Sequence, residues 1–334
     1  MIESILAAHR DLRTGSEELT HKWVTPYEKP ASEPPHQFVL FLKPEVTAVD
    51  AGVRLEGILE IIFETLARWD ILVGGVRVLR GDYLSGHRIM DQHYGVINSI
   101  SHGGRSAIAP AAEAKLVSEF GTLIENGAPV LGGHEFLEKF PQVSAFALAI
   151  LNINLGTTKL AGGTYVMSVK VLGQPCLVLN PFHPYQLEPY CAPSNAIIVM
   201  ECRAGQPWAE LRSKLAGATD PLEADAGSLR QLFLKDKDAL GLSDVSQSAN
   251  GIHLSAGPLE GMVEIQRFFT DHDGDQPLSF IDTSFGQLLA DQGLSAEQIT
   301  ALAGNPVIES HGTGTPAFDL TEEVDADQAY KLLI

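Results

Sequence analysis

The sequence predicts an α/β fold, and three observations in its first 80 residues predict it. Phe38–Leu42 (FVLFL) is a short apolar run that stops at Lys43-Pro44, the pattern of a buried strand ended by a breaker. Leu55, Ile58, Leu59, Ile62, Phe63 and Leu66 recur three and four apart, which places them on one face of an amphipathic helix. Asp70–Arg80 (DILVGGVRVLR) returns to β-branched residues and reads as a second strand. A strand, a helix and a strand in succession require a sheet with a helix laid upon it.

The other elements follow in order. Residues 1–36 read as a short amphipathic helix and then a Pro-rich arm, Pro26 to Pro35. From Gly95 to Asn180 the chain is rich in Gly, Ala and Ser, with a helix at Ala111–Ile124 and a mixed apolar stretch from Phe146 to Leu179. Asn195–Cys202 (NAIIVMEC) is a further core strand, and Trp208–Leu215 and Pro258–Phe269 are helices. A last helix is expected at Ser295–Ala303, before an acidic, Thr/Gly-rich tail.

Composition narrows the functional classes. Lys and Arg number 23 against 42 Asp and Glu, a net charge of −19 that disfavours nucleic-acid polymers and anionic membranes as partners. Only Cys176, Cys191 and Cys202 are present, without a CxxC pair, so neither a disulfide scaffold nor a structural zinc site is expected. The start lacks a basic and then apolar leader, and the apolar run Ala145–Leu151 is too short to span a bilayer. The expectation is a soluble, cytoplasmic protein.

Common nucleotide motifs fail. There is no G-x-x-x-x-G-K-[ST], and no G-x-G-x-x-G follows a strand. Gly312-Thr313-Gly314-Thr315 after His311 resembles the histidine loop of β-ketoacyl synthases, but no cysteine stands in a matching nucleophile turn. That string reads as a Gly/Thr turn.

One ordered set of motifs is more specific. Lys43-Pro44-Glu45 follows the first strand, and His93-Tyr94 comes after the second. Pro181-Phe182 precedes the third. Gly217-Ala218-Thr219-Asp220-Pro221 leads to Gly227-Ser228-Leu229-Arg230, with Arg230 eleven residues after Thr219. Asn250-Gly251-Ile252-His253-Leu254-Ser255 comes next, and Glu264 lies on the following helix. Taken in order, these resemble nucleoside diphosphate kinases.

The resemblance implies a ferredoxin-like antiparallel sheet sandwich with helices on one face. The kinase-like domain would cover 37–94 and 181–270, with an N-terminal arm (1–36), an inserted subdomain (95–180) and a C-terminal extension (271–334). It implies transfer of a γ-phosphate from a nucleoside triphosphate to a nucleoside diphosphate through phospho-His253. In this scheme Glu264 and Ser255 orient the imidazole, Lys43, Tyr94 and Arg230 contact phosphate or ribose, and Thr219 donates a hydroxyl. Asn250 contacts the ribose and Phe182 stacks on the base. Mg²⁺ would ride on the phosphates, and a homo-oligomer is implied. The chemistry agrees: a neutral imidazole nitrogen can accept a phosphoryl group and release it, and positioned cations lower the barrier.

Departures from the pattern define a second reading, a nucleotide-binding regulatory or scaffold module with weak or no turnover. Leu254 and Ala256 replace the Gly and Asp that flank the family serine. The family's phosphate-binding Arg falls on Ser213, with Arg212 one residue away, a displacement of about 100° on a helix.

Overall fold

The computed structural model describes residues 1–16, 18–30, 34–274, 277–310 and 313–334. The chain forms two compact units, Met1–His87 with Ala192–Ile334, and Arg88–Cys191. In chain order, β1 (His21–Thr25), β2 (His36–Leu42) and β3 (Leu72–Arg80) precede the second unit. Within it lie β4 (Val130–Gly132), β5 (Thr158–Ala161), β6 (Thr164–Val171) and β7 (Gln174–Leu179). Then follow β8 (Ala196–Ala204), β9 (Ile252–Leu254) and the hairpin β10 (Val307–Ser310) and β11 (Thr313–Pro316).

The first unit is built on a five-stranded sheet ordered β1-β3-β8-β2-β9, every pair antiparallel. Without the edge strand β1, its succession is strand, helix, strand, strand, helix, strand, the ferredoxin-like arrangement. The two middle strands, β3 and β8, are hydrogen-bonded neighbours. Arg80 pairs with Ala196, and Gly81 N donates to Asn195 O at 2.9 Å. The chain therefore leaves the sheet and re-enters it at adjacent points, so a whole unit fits in a connection that a hairpin could have made.

Strand alternation sorts the side chains of β2. Phe38, Leu40 and Leu42 enter the main core with Leu55, Ile58, Leu59, Ile62 and Leu66 of the helix α2 (Leu55–Arg68). Each such aliphatic side chain contributes about 1.5–3 kcal/mol by leaving water. The helix α1 (Ile2–Thr14) adds Ile5, Ala8 and Leu12 to this core, so residues 1–36 supply a packed helix and an edge strand. The opposite face of β2 carries Phe41, whose ring lies 5.4 Å from that of Phe268 on the helix α3 (Pro258–Phe269). Helices thus cover both faces of the sheet, where one face was expected. The reason is visible in α3, which buries residues on both of its sides. Leu259, Met262 and Val263 pack against Phe285, Leu289, Ile299 and Leu302 of the C-terminal residues.

The second unit has its own four-stranded sheet, ordered β4-β7-β6-β5. Alternation along β7 splits its core in two. Leu177 and Leu179 join Ile100, Ala112 and Leu116, while Cys176 and Val178 join Phe136 and Leu148. Tyr94 and Phe182, expected in the kinase-like domain, belong to this unit. There the Phe182 ring lies 5.7 Å from that of Tyr165, and Tyr94 Oη donates to Tyr190 Oη at 3.4 Å. His311 and Gly312 of the Gly/Thr string fall outside the described residues.

Candidate functional site

The period of two along β9 decides which side chain leaves the core. Ile252 and Leu254 are buried in it, so His253 must point to the other face, where its ring stacks on Phe41 at 4.7 Å and 22°. The turn into β9 requires glycine. Gly251 has φ +81°, and a Cβ there would meet Phe233 at 2.7 Å.

α3 brings Glu264 to this ring. His253 Nε2 lies 2.7 Å from Glu264 Oε1, and the carboxylate has no exposed surface. Its second oxygen accepts from Ser255 Oγ at 2.5 Å, and Ser255 Oγ accepts from Val39 N at 2.9 Å. A buried carboxylate is tolerated only when it is bonded in this way. In the tautomer that carries its proton on Nε2, the nitrogen nearest Glu264, the basic nitrogen of the ring is Nδ1. His253 and Ser255, two apart in sequence, thus meet Glu264 of the following helix.

Cations converge on the strand that carries His253. β9 lies at the sheet edge, and Arg230 donates to Ile252 O at 3.3 Å and Gly217 O at 2.6 Å, while Arg212 donates to Leu254 O at 2.7 Å. Capping edge carbonyls protects the strand, but it uses only part of each guanidinium's five donors. The Nε of both arginines is buried without a hydrogen-bond acceptor. Lys43 Nζ donates to Asn250 Oδ1 at 2.8 Å. Burial pushes the Lys43 ammonium down, Glu45 opposes this, and Arg230 pushes it further down. Arg230 is lowered to about 10, by burial first and Arg212 second. Positive groups that disfavour one another's charge thus crowd β9, with Glu45 beside Lys43 and with Glu322 and Glu323 each 3.8 Å from Arg212 as the facing carboxylates.

Arg212 lies in a wide turn: Leu211–Ala216 is a π-helix, and Gly217 N donates to Arg212 O at 3.2 Å, a five-residue bond. Ser213, at the family position, is exposed and donates to Ala209 O.

Other expected site residues serve the frame. Asn250 is buried and its amide is engaged on both sides: Oδ1 accepts from Lys43, and Nδ2 donates to Thr219 O and Gln247 O at 3.1 and 3.2 Å. Thr219 is exposed, and its backbone carbonyl is the group used here.

Phe41, Glu260 and Arg267 were given no site role by the sequence reading, and Glu45 was seen there only as part of Lys43-Pro44-Glu45. Phe41 supplies the stacking surface. Glu45 Oε1 accepts from Gly251 N at 3.1 Å and fixes the turn into β9. Glu260 Oε2 accepts from Ala256 N at 2.7 Å, so a carboxylate reaches the position where Ala256 has none. Burial, then Glu264, raise Glu260 to about 7. Arg267 is lowered by burial and held up by Glu264 and Glu260. The spacing of Glu260, Glu264 and Arg267, one helical face, was the available signal.

No family model matches the chain, and no curated protein matches it. Among solved structures, an NDP kinase from Pyrobaculum aerophilum is similar at a TM-score of 0.36 and 16% identity, over 71% of this chain and 97% of that one. That likeness carries no weight for function.

Proposed function

We propose that the first unit is a phosphotransferase of the nucleoside diphosphate kinase type, with His253 Nδ1 as the phosphoryl acceptor. The observation that carries this reading is the chain from Val39 N through Ser255 and Glu264 to His253, beside unspent arginine donors. In the first half-reaction the bond from γ-phosphorus to the bridging oxygen breaks, a phosphorus–Nδ1 bond forms, and the nucleoside diphosphate leaves. A second nucleoside diphosphate then reverses the step. Glu264 holds the Nε2 proton and stabilises the positive charge that develops on the ring. Lys43, Arg212 and Arg230 lie around β9, as neutralising the equatorial oxygens requires.

Magnesium would arrive on the phosphates and neutralise part of their charge. The donor set fits that use: Glu260 is a hard oxygen donor beside Ala256, suited to a phosphate-borne ion. The base-stacking role of Phe182 and the phosphate-end role of Tyr94 draw no support from their packing on Tyr165 and Tyr190.

The test is incubation with γ-³²P-ATP and Mg²⁺. An acid-labile, base-stable label on the native chain, lost in His253→Ala, is the expected result. A second reading, nucleotide binding without turnover, is favoured by Glu322 and Glu323, each with an oxygen 3.8 Å from Arg212. Tight nucleotide binding with no label would select it.

A further inference from the structure

We propose that His21, Asp271 and Asp273 bind a divalent first-row transition-metal ion, at a site separate from that of His253. The residues come from two segments distant in sequence: His21 opens β1, and the two aspartates follow α3. His21 Nε2 lies 3.9 Å from Asp271 Oδ1 and 3.6 Å from Asp273 Oδ2, and the three ligand atoms all fall within 4.8 Å of one another. These gaps are too wide for hydrogen bonds. They are close to the spacing of about 3.4 Å that two donors take on one tetrahedral ion at bond lengths of about 2.1 Å. One imidazole and two carboxylates suit ions of the zinc and manganese type.

A third segment supports the ligands. His87 Nε2 lies 3.0 Å from the other oxygen of Asp273, Oδ1, which leaves Oδ2 turned toward His21. Outer hydrogen bonds to a ligating carboxylate are the usual way that such a group is aimed. The ring of Tyr83 stands 4.7 Å from that of His21 and 4.5 Å from that of His87, and holds both imidazoles in place. Arg77 is also near, 3.8 Å from Asp271. It is spent on Phe268 O, Thr270 O and Tyr83 Oη, so its charge offsets part of the two carboxylates without closing the gap.

The experiment is calorimetric titration of the full chain, first stripped with a chelator, with ZnCl₂ and separately MnCl₂. Because other histidines bind zinc weakly, the readout is a difference between variants. Native protein is expected to bind one more equivalent than the double variant Asp271→Asn/Asp273→Asn. His21→Ala should lose that same equivalent, and His87→Ala should weaken it by about 10-fold or more. His253→Ala should retain it. Both aspartates are half-exposed, so the double variant keeps its fold, as circular dichroism would verify. Equal stoichiometry in native protein and double variant, or no uptake of either ion, overturns the proposal.

Discussion

The two units bury polar side chains in opposite ways. In the second unit Asn180 is fully buried, and its amide is spent on backbone groups: Nδ2 donates to Gly163 O and Ile97 O, and Oδ1 accepts from Tyr165 N. His183 Nε2 pairs with Asn98 Oδ1 at 3.1 Å, and Ser101 Oγ with His134 Nδ1 at 2.8 Å. Burial, and then the neighbouring histidines, lower His183 to about 4, so it is neutral at neutral pH. In the first unit the groups around β9 carry charge, crowd others of the same sign, and keep donors unspent. The second unit's polar groups are neutral and mostly bonded to backbone or to one another, although His183 Nδ1 is buried without a hydrogen-bond partner. Charged groups with capacity left over are the physical basis of the proposed anion site.

The largest expected effect breaks the comparison if it fails. His253→Ala should remove all acid-labile ³²P label, whereas His183→Ala should leave labelling in place and only weaken the second unit. Label on the first variant would show that the phosphoryl acceptor is elsewhere.

Next in size is Lys43→Ala. Removing one cation from the phosphate side should slow labelling by about 10²–10³-fold, with Lys43→Arg restoring part of it. Rapid-quench measurement of the first turnover separates this from a binding defect. Ser213→Arg, by contrast, should bring no gain, because Ser213 is exposed while Arg212 already bonds β9 at Leu254 O.

On the structural side, Asn180→Ala should destabilise the chain by about 3 kcal/mol. It strands several buried backbone groups and puts a residue without a side-chain acceptor at φ +48°. Urea unfolding checks it, and a change below about 0.5 kcal/mol would mean that these bonds do not hold the second sheet.

A comparable effect sharpens the contrast through pH. Glu260 sits near 7 instead of its ordinary 4.5, because burial and Glu264 disfavour its charge. The folded chain therefore holds this proton where the unfolded chain has released it, and stability falls as pH rises from about 4.5 to about 7, then levels. Glu260→Gln removes that fall. The variant should match the native chain at pH 4 and exceed its stability by about 3 kcal/mol at pH 8. Parallel pH profiles of the two proteins would count against the buried charge.

Much of this protein was legible in its sequence. Short apolar and β-branched runs mark β2, β3 and β8, because both faces of these strands are buried, and period-3.6 spacing marks α2 and α3. Asn250, His253 and Ser255 were legible as an ordered motif, whereas the short strand β9 that carries His253 was not. Tertiary structure alone decided the rest. Helix cover on both faces of the sheet depends on residues after Phe269 packing on α3, a long-range contact with no local signature. The π-turn at Leu211–Ala216 is a one-residue change in hydrogen bonding that leaves no mark on hydrophobic spacing. Tyr94 and Phe182 belong to the second unit, where Tyr190 and Tyr165 pack on them. The His21, Asp271 and Asp273 cluster joins segments 250 residues apart. Local sequence encodes which way a side chain faces. Which other side chain it then meets is settled only when the sheet closes.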